Sequence, residues 1–437
     1  MALAAAAWAQ EAPRAMTLRE AVKQALSAHP SLEAARAKVT AAAARVEQAR
    51  SGHLPRLKYE ESFQSGNNPV YVFGTLLTQR QFTSANFALD SLNRPDPINN
   101  FQSKVTAEQL IYDFGGLKNN IKAADLGRQM SEQDRKAAEL GLLAGVTKTY
   151  LGAQLAAQAL TVAREAEKSA EADLARAQKM QAAGLITEAD VLSLKVHAAA
   201  MREQVIRAEA NRKVSLAALN EALGLPLETV LDLTTPLAAA LAPAGDAEKQ
   251  ALQSRPELGK IQLASEAAEA QAAAARAGYY PRIAMRGIFE ADRQQFVNKG
   301  GANWMFGAGL EWNLFDGNRT RASVAEAKAQ SAASQASLRQ YQSAVRLEVK
   351  QAQAMLDAAS ERLKVTEAGV AQSEESLRIL RNRYQNGLAT VTDLLRAQVA
   401  VSDARMRRLQ AIHDQRLAAV EIQRAAGILN GDSDVLN

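Results

Sequence analysis

The chain has no cysteine among its 437 residues. That excludes a disulfide framework, thiolate metal sites and a cysteine nucleophile within these residues, and no lipidated N-terminal cysteine is expected. Histidine is nearly as scarce. His29, His53, His197 and His413 are scattered, and none has a second ligand type at metal spacing. No metal site and no cofactor is expected. No stretch carries the ~20 apolar residues that a membrane helix requires, so any passage through a membrane must be as a closed β-barrel. Enzyme motifs are missing too: there is no G-x-S-x-G, no P-loop and no metal-spaced histidine pair. FGAGLEW (306–312) contains G-x-G, but it lies in an alternating stretch instead of opening a helix, so it is no phosphate loop. Its glycines are expected to face a crowded barrel interior. No catalytic residue is expected, and the chain does not read as an enzyme. The net charge of +5 comes from Lys and Arg interleaved with Asp and Glu. That is a solvated surface, and no nucleic-acid partner is expected.

Duplication is what the chain does have. Residues 184–192 read GLITEADVL and residues 387–395 read GLATVTDLL. Residues 25–56 and 251–282 each begin AL, reach a proline, run through alanine and end in R-x-G-x-x-P-R. Pro30, Gly52 and Pro55 are answered by Pro256, Gly278 and Pro281. Two copies in one chain imply one architecture with internal pseudo-symmetry. Before them, residues 2–9 (ALAAAAWA) resemble the end of a secretory signal without its basic region, so 1–9 is expected to be a signal-peptide remnant.

Most of the chain is Ala, Glu, Gln, Arg, Lys and Leu, the composition of helices. The blocks 117–183 and 319–383 contain no proline, and each would run roughly 100 Å as one helix. Leu140, Leu143, Val146 and Tyr150 recur at three- and four-residue steps, as in a coiled-coil seam. Abundant alanine allows close helix approach.

Elsewhere the period becomes two. Trp304, Phe306, Ala308, Leu310, Trp312 and Leu314 alternate with Asn303, Met305, Gly307, Gly309, Glu311 and Asn313. Lipid on one face and water on the other would suit such a strand, with Trp304, Phe306, Trp312, Tyr279 and Tyr280 as interface aromatics. The offset between copies is 226 at Pro55/Pro281 and 203 from Asp113/Asp316 onward. The first hairpin is therefore 23 residues longer, with the excess in a loop around 66–100.

The expected layout follows. A first repeat spans 10–224, with strands near 55–65 and 102–113 and long helices near 117–183 and 187–223. A linker at the equatorial region spans 225–248. A second repeat spans 249–429, with strands near 281–294 and 303–315 and helices near 319–385 and 390–428; residues 430–437 form a tail. The fold is mainly α with a small membrane β-barrel. Four strands cannot close a barrel, since the smallest have about eight. The chain must oligomerise; three copies would supply twelve strands, although closure alone does not select three over two or four.

The tips are turns by their own chemistry. Gly184 and Gly387 stand where a left-handed residue is wanted. Thr187 and Thr390 are N-cap candidates, with Asp190 and Asp393 in capping-box position. Leu185 and Leu388 have no such role, and an apolar residue at an exposed tip marks a contact.

This arrangement resembles the TolC-like outer membrane factor family. The resemblance rests on ALSAHPSL (25–32), the two R-x-G-x-x-P-R segments, LFDGNR (314–319) and the two GL-x-T-x-x-D-x-L tips. It implies a homotrimeric duct in the outer membrane of a Gram-negative bacterium, extending into the periplasm. Such ducts are passive exits of a tripartite efflux pump, joined to a periplasmic adaptor protein and an inner-membrane pump. It carries the adaptor contact to Gly184, Leu185, Thr187, Gly387, Leu388 and Thr390, and a periplasmic gate to Asp190, Tyr384, Asp393 and Arg396. In the family the tyrosine matching Tyr384 links to the acid matching Asp190. Two positions depart from the pattern: Arg396 stands at the second acid position, and Ala389 replaces a basic linking residue. The alternatives are a type I protein secretion duct and a soluble periplasmic coiled-coil adaptor or scaffold; the latter leaves four duplicated strands unexplained.

Overall fold

Proline and glycine punctuate the chain into helices and strands in the order β1 (Arg14–Met16), α1 (Leu18–Ala28), α2 (Pro30–Arg50), β2 (Arg56–Gly66), α3 (Pro69–Thr78), α4 (Leu89–Asn93), β3 (Ile98–Tyr112), α5 (Gly116–Ala182), α6 (Glu188–Leu223), β4 (Leu231–Leu233), α7 (Ala247–Ser254), α8 (Pro256–Ala277), β5 (Arg282–Arg293), β6 (Gly301–Glu311), α9 (Arg319–Gln385) and α10 (Val391–Ala425). The computed structural model describes residues 14–240, 245–297 and 300–437; the expected signal remnant, 1–9, lies outside them. The pseudo-symmetry is plain in the helix lengths. Both α5 and α9 have 67 residues, while α6 has 36 and α10 has 35. Two compact units result. One holds residues up to Lys38 with Ser131–Lys260 and Leu338–Asn437; the other holds Val39–Met130 and Ile261–Ser337.

In the first unit, buried positions follow the helix seams. Leu140, Leu143, Val146 and Tyr150 pack with Val345, Val349, Ala352 and Leu356 of α9 and with Leu219, Leu223, Ala419 and Ile422 of α6 and α10. Further along α5, the buried alanines Ala163, Ala170 and Ala177 recur every seven residues, the heptad of a close-packed seam. Tyr150 does more than pack: its hydroxyl donates to Met16 O at 2.9 Å and accepts from Thr235 N at 3.1 Å. Those bonds hold a parallel pair of three-residue strands, β1 on β4. The expected linker 225–248 therefore contains a strand, too short to show any period.

In the second unit, β2, β3, β5 and β6 form one antiparallel sheet in the order β2-β3-β5-β6. The ladder between β5 and β6 ends at Arg282↔Glu311, because Pro281 has no N–H to continue it. Trp312 and Leu314, expected within the strand, lie beyond it. Strand β3 starts at Ile98, opposite Gly66, earlier than expected. The segment read as a 66–100 loop is largely ordered into α3 and α4. Asn68 caps α3 by accepting from Val70 N and Tyr71 N, with Pro69 at the first helical position. Its sequence, PVYVFGTLLT, has the β-branched and aromatic content of a strand, which hid the helix.

Candidate functional site

The register divides the sheet into two chemically distinct faces. Directly opposed residues share a face, and alternate residues change face. One row runs Tyr59↔Val105↔Phe289↔Trp304, and the next on the same side runs Leu57↔Ala107↔Gly287↔Phe306. The opposite side carries Glu60↔Lys104↔Glu290↔Asn303 and Arg56↔Glu108↔Arg286↔Gly307. Charges there alternate, and Arg286 pairs with Glu108 at 3.3 Å. The apolar rows are left uncovered, with Trp304 79% exposed. Gly307 and Gly309 on the polar side have open space where a Cβ would stand.

Aromatic rings mark both ends of this sheet. At the helix-joining end, Phe114 stacks on Tyr280 with ring centroids 5.0 Å apart and meets Tyr112 at 4.8 Å. Trp312 Nε1 donates to Tyr279 O at 3.1 Å beside them. At the hairpin end, Phe101 contacts Phe63 at 4.7 Å and Phe296 at 5.8 Å. Phe306 sits in mid-strand rather than at an end; Phe63 and Phe101 escape sequence reading because β2 and β3 alternate weakly, and Phe296 because it lies beyond β5, outside the alternating run. From Phe101 to Tyr112 a strand tilted by ~40° at ~3.3 Å per residue covers about 28 Å, close to the ~25 Å apolar band of a membrane barrel.

The two tips belong to the first unit and share one geometry. Gly184 has φ 73° and Gly387 φ 71°. Each follows its helix as the left-handed residue of a Schellman turn. Leu185 N donates to Met180 O at 2.9 Å, and Leu388 N to Arg383 O at 2.8 Å. Thr187 and Thr390 cap the returning helices in full capping boxes with Asp190 and Asp393. Hydrogen bonds from the Thr390 hydroxyl and backbone, with Arg396 and Arg383 nearby, hold the Asp393 carboxyl below its ordinary pKa. Leu185 and Leu388 project from the turns, 70% and 68% exposed.

Behind the turns, the two tips pack on each other through Ala177, Val191, Leu194, Tyr384, Val391 and Leu394. The ring of Tyr384 is thus core. Its hydroxyl is buried without a hydrogen-bond partner among the described residues, so the Tyr384–Asp190 link implied by the resemblance is not made within the chain. Asp190 instead accepts from Thr187 N and Oγ1. Burial, with the charges of Asp190 and Asp173, pushes the Tyr384 hydroxyl up in pKa.

Sequence reasoning missed the polar cluster above the tips. Asp173, almost fully buried, accepts from Arg381 Nη2 at 3.0 Å and from Gln398 Nε2, tying α5 to α9 and α10. Arg381 also donates to Ser169 Oγ at 2.8 Å. The available signal was an acid three residues after Ala170 on an otherwise small, apolar seam.

Comparison with known proteins completes the picture. The outer membrane efflux protein family matches residues 21–225 and 248–428. Outer membrane protein OprJ of Pseudomonas aeruginosa is 28% identical over 78% of this chain and 72% of its own. Nodulation protein T of Rhizobium leguminosarum bv. viciae is 25% identical over 95% of this chain and 82% of its own. Among solved structures, the Campylobacter jejuni CmeC outer membrane channel superposes with a TM-score of 0.80 at 18% identity, covering 96% of this chain and 87% of that one. A match over nearly the whole of both repeats, on a fold with a two-faced sheet and paired helical tips, places the chain in the outer membrane efflux protein family, as an outer-membrane channel and not an enzyme.

Proposed function

We propose that three copies close a twelve-stranded barrel, with the apolar rows toward lipid and the charged rows lining a water-filled bore. The observation that carries this is the register: the rows through Trp304 and Phe306 are apolar on one side, the rows through Glu60 and Arg56 are charged on the other, and among the described residues β2 and β6 are open edges. An exposed edge of this length is a template for another strand, and closure removes it. In the sheet order, β6 of one copy meets β2 of the next antiparallel. The duct is the passive exit of a tripartite pump, and its cargo is chosen by the inner-membrane partner.

The six tips of the trimer form the docking ring for a periplasmic adaptor. Leu185 and Leu388 are its apolar contacts, on turns fixed by Gly184, Thr187, Gly387 and Thr390. Asp190, Tyr384, Asp393 and Arg396 form the periplasmic gate, each repeated three times about the axis. Asp393 caps α10 through Oδ2, and in the gate contact between chains it also meets Arg396 of its neighbour. Unpaired, three like charges in a narrow mouth would repel.

Fractionation and crosslinking test this reading. The protein should sit in the outer membrane and run as a trimer in mild detergent. A cysteine at Leu388, unique in this chain, should crosslink to an adaptor. A monomer in the soluble periplasmic fraction would overturn the proposal.

A further inference from the structure

Helix α3 and the turn after it are fastened across one end of the polar face. Val72, Thr75 and Gln79, at helical spacing, are buried. Gln79 Nε2 donates to Asn99 O and Asn100 Oδ1, both at 2.9 Å. Asn100 Nδ2 in turn donates to Asp292 Oδ1 at 2.7 Å, where Gln102 Nε2 also donates at 3.2 Å. Asn100, Gln102 and Asp292 all belong to the polar rows by register. The segment then reaches the edge strand: Asn303 Nδ2 donates to Thr78 O at 3.3 Å, and Arg80 Nη2 to Ala302 O at 2.7 Å.

Two backbone features show how closely this segment is seated. Gly301 must be glycine, since a Cβ there would lie 1.8 Å from Thr78 O. Arg80 has φ 56°, a left-handed conformation that residues with a Cβ seldom adopt. It is kept at the position where its guanidinium clamps β6. The far side of α3 is uncovered, with Val70 81% and Leu77 49% exposed.

We infer that α3 is a size-selecting constriction at the hairpin-side mouth of the channel, held by the Gln79–Asn100–Asp292 chain and the Arg80 clamp, with Val70 and Leu77 lining the opening. This rests on the barrel proposed above, in which the polar face is the bore. Twelve strands ~4.8 Å apart and tilted ~40° enclose about 25 Å between backbones. A helix is ~10 Å thick with its side chains, so one on the inner face of each copy narrows the mouth from three sides. Three such helices leave an opening; six would fill it. The 23 residues by which the first hairpin exceeds the second are therefore a feature of the pore, present once per chain.

The test is polymer exclusion in planar bilayers, with poly(ethylene glycol) of graded size added on the hairpin side only. Wild type is compared with Val70→Trp/Leu77→Trp, with Gln79→Ala, and with residues 69–93 replaced by a short Gly-Ser linker. The tryptophan pair, on exposed positions away from the anchor, should shift the cut-off to smaller polymers. The other two should shift it to larger ones. Native mass is measured on every sample. Wild type that is not trimeric would reject the barrel itself. Intact trimers with the wild-type cut-off in all three variants would overturn the constriction and leave the barrel standing.

Discussion

Arg381 on α9 donates to Asp173 on α5 at 3.0 Å, and that carboxylate is only 5% exposed. Gln398 of α10 donates to the same oxygen. One acid on an alanine seam thus joins three long helices. Removing one partner of a buried pair costs more than the pair itself contributes, because the other is left uncompensated. Asp173→Ala is expected to cost about 3 kcal/mol, with Asp173→Asn in between, read as lowered helix melting by circular dichroism.

The duplicated caps should behave alike. Thr187→Ala and Thr390→Ala are each expected to cost about 1 kcal/mol. Amide exchange in the first turns of α6 and α10 should accelerate, with little change at the sheet. Equal effects at both tips would match their shared geometry, whereas protection unchanged at either would show that its capping box contributes little.

His197 gives the helical unit a pH dependence. Burial holds its imidazole below the ordinary value of 6.5, with Asp173 opposing in part. The unfolded chain therefore binds the proton more readily. Stability is fully present above the ordinary histidine value and falls as pH drops through the depressed one. Melting midpoints between pH 7.5 and 5 should fall with acid (a range set by that window), and His197→Gln should flatten the slope.

How far the sequence told this story depended on how local the chemistry was. Gly184, Thr187 and Asp190, with Gly387, Thr390 and Asp393, act within a few residues of one another, so their turn and capping roles were readable from spacing. The two-faced strand around Trp304 was readable for the same reason. Asp173 was not, because its partners lie more than two hundred residues away on other helices. Tyr150 read as a packing residue, since its hydroxyl meets backbone from β1 and from beyond β4. Helix α3 was hidden by residues that favour strands and are helical here because Asn68 and Pro69 start the turn and Gln79 anchors its end.

The heptad alanines offer a check on packing. Ala170 is buried at the centre of the Ala163–Ala170–Ala177 run. Ala170→Leu is expected to destabilise by about 1–3 kcal/mol through overpacking, whereas Ala170→Ser should be milder. Melting of the two variants would separate them; a leucine tolerated without loss would mean the helices have room to part.

The central claim, closure of three copies through β6 and β2, is tested most directly by paired cysteines. Within one chain β2 and β6 are three strand spacings apart, about 14 Å, too far for a disulfide. Any bond between them must join two chains. Cysteines at Arg56, Lys58 or Glu60 are combined with cysteines at Asn303, Met305 or Gly307, and the membranes are oxidised and run without reductant. The result expected is a covalent ladder from at least one pair that stops at three chains. Ladders that continue past three, or no bond in any register of the scan, would contradict the account.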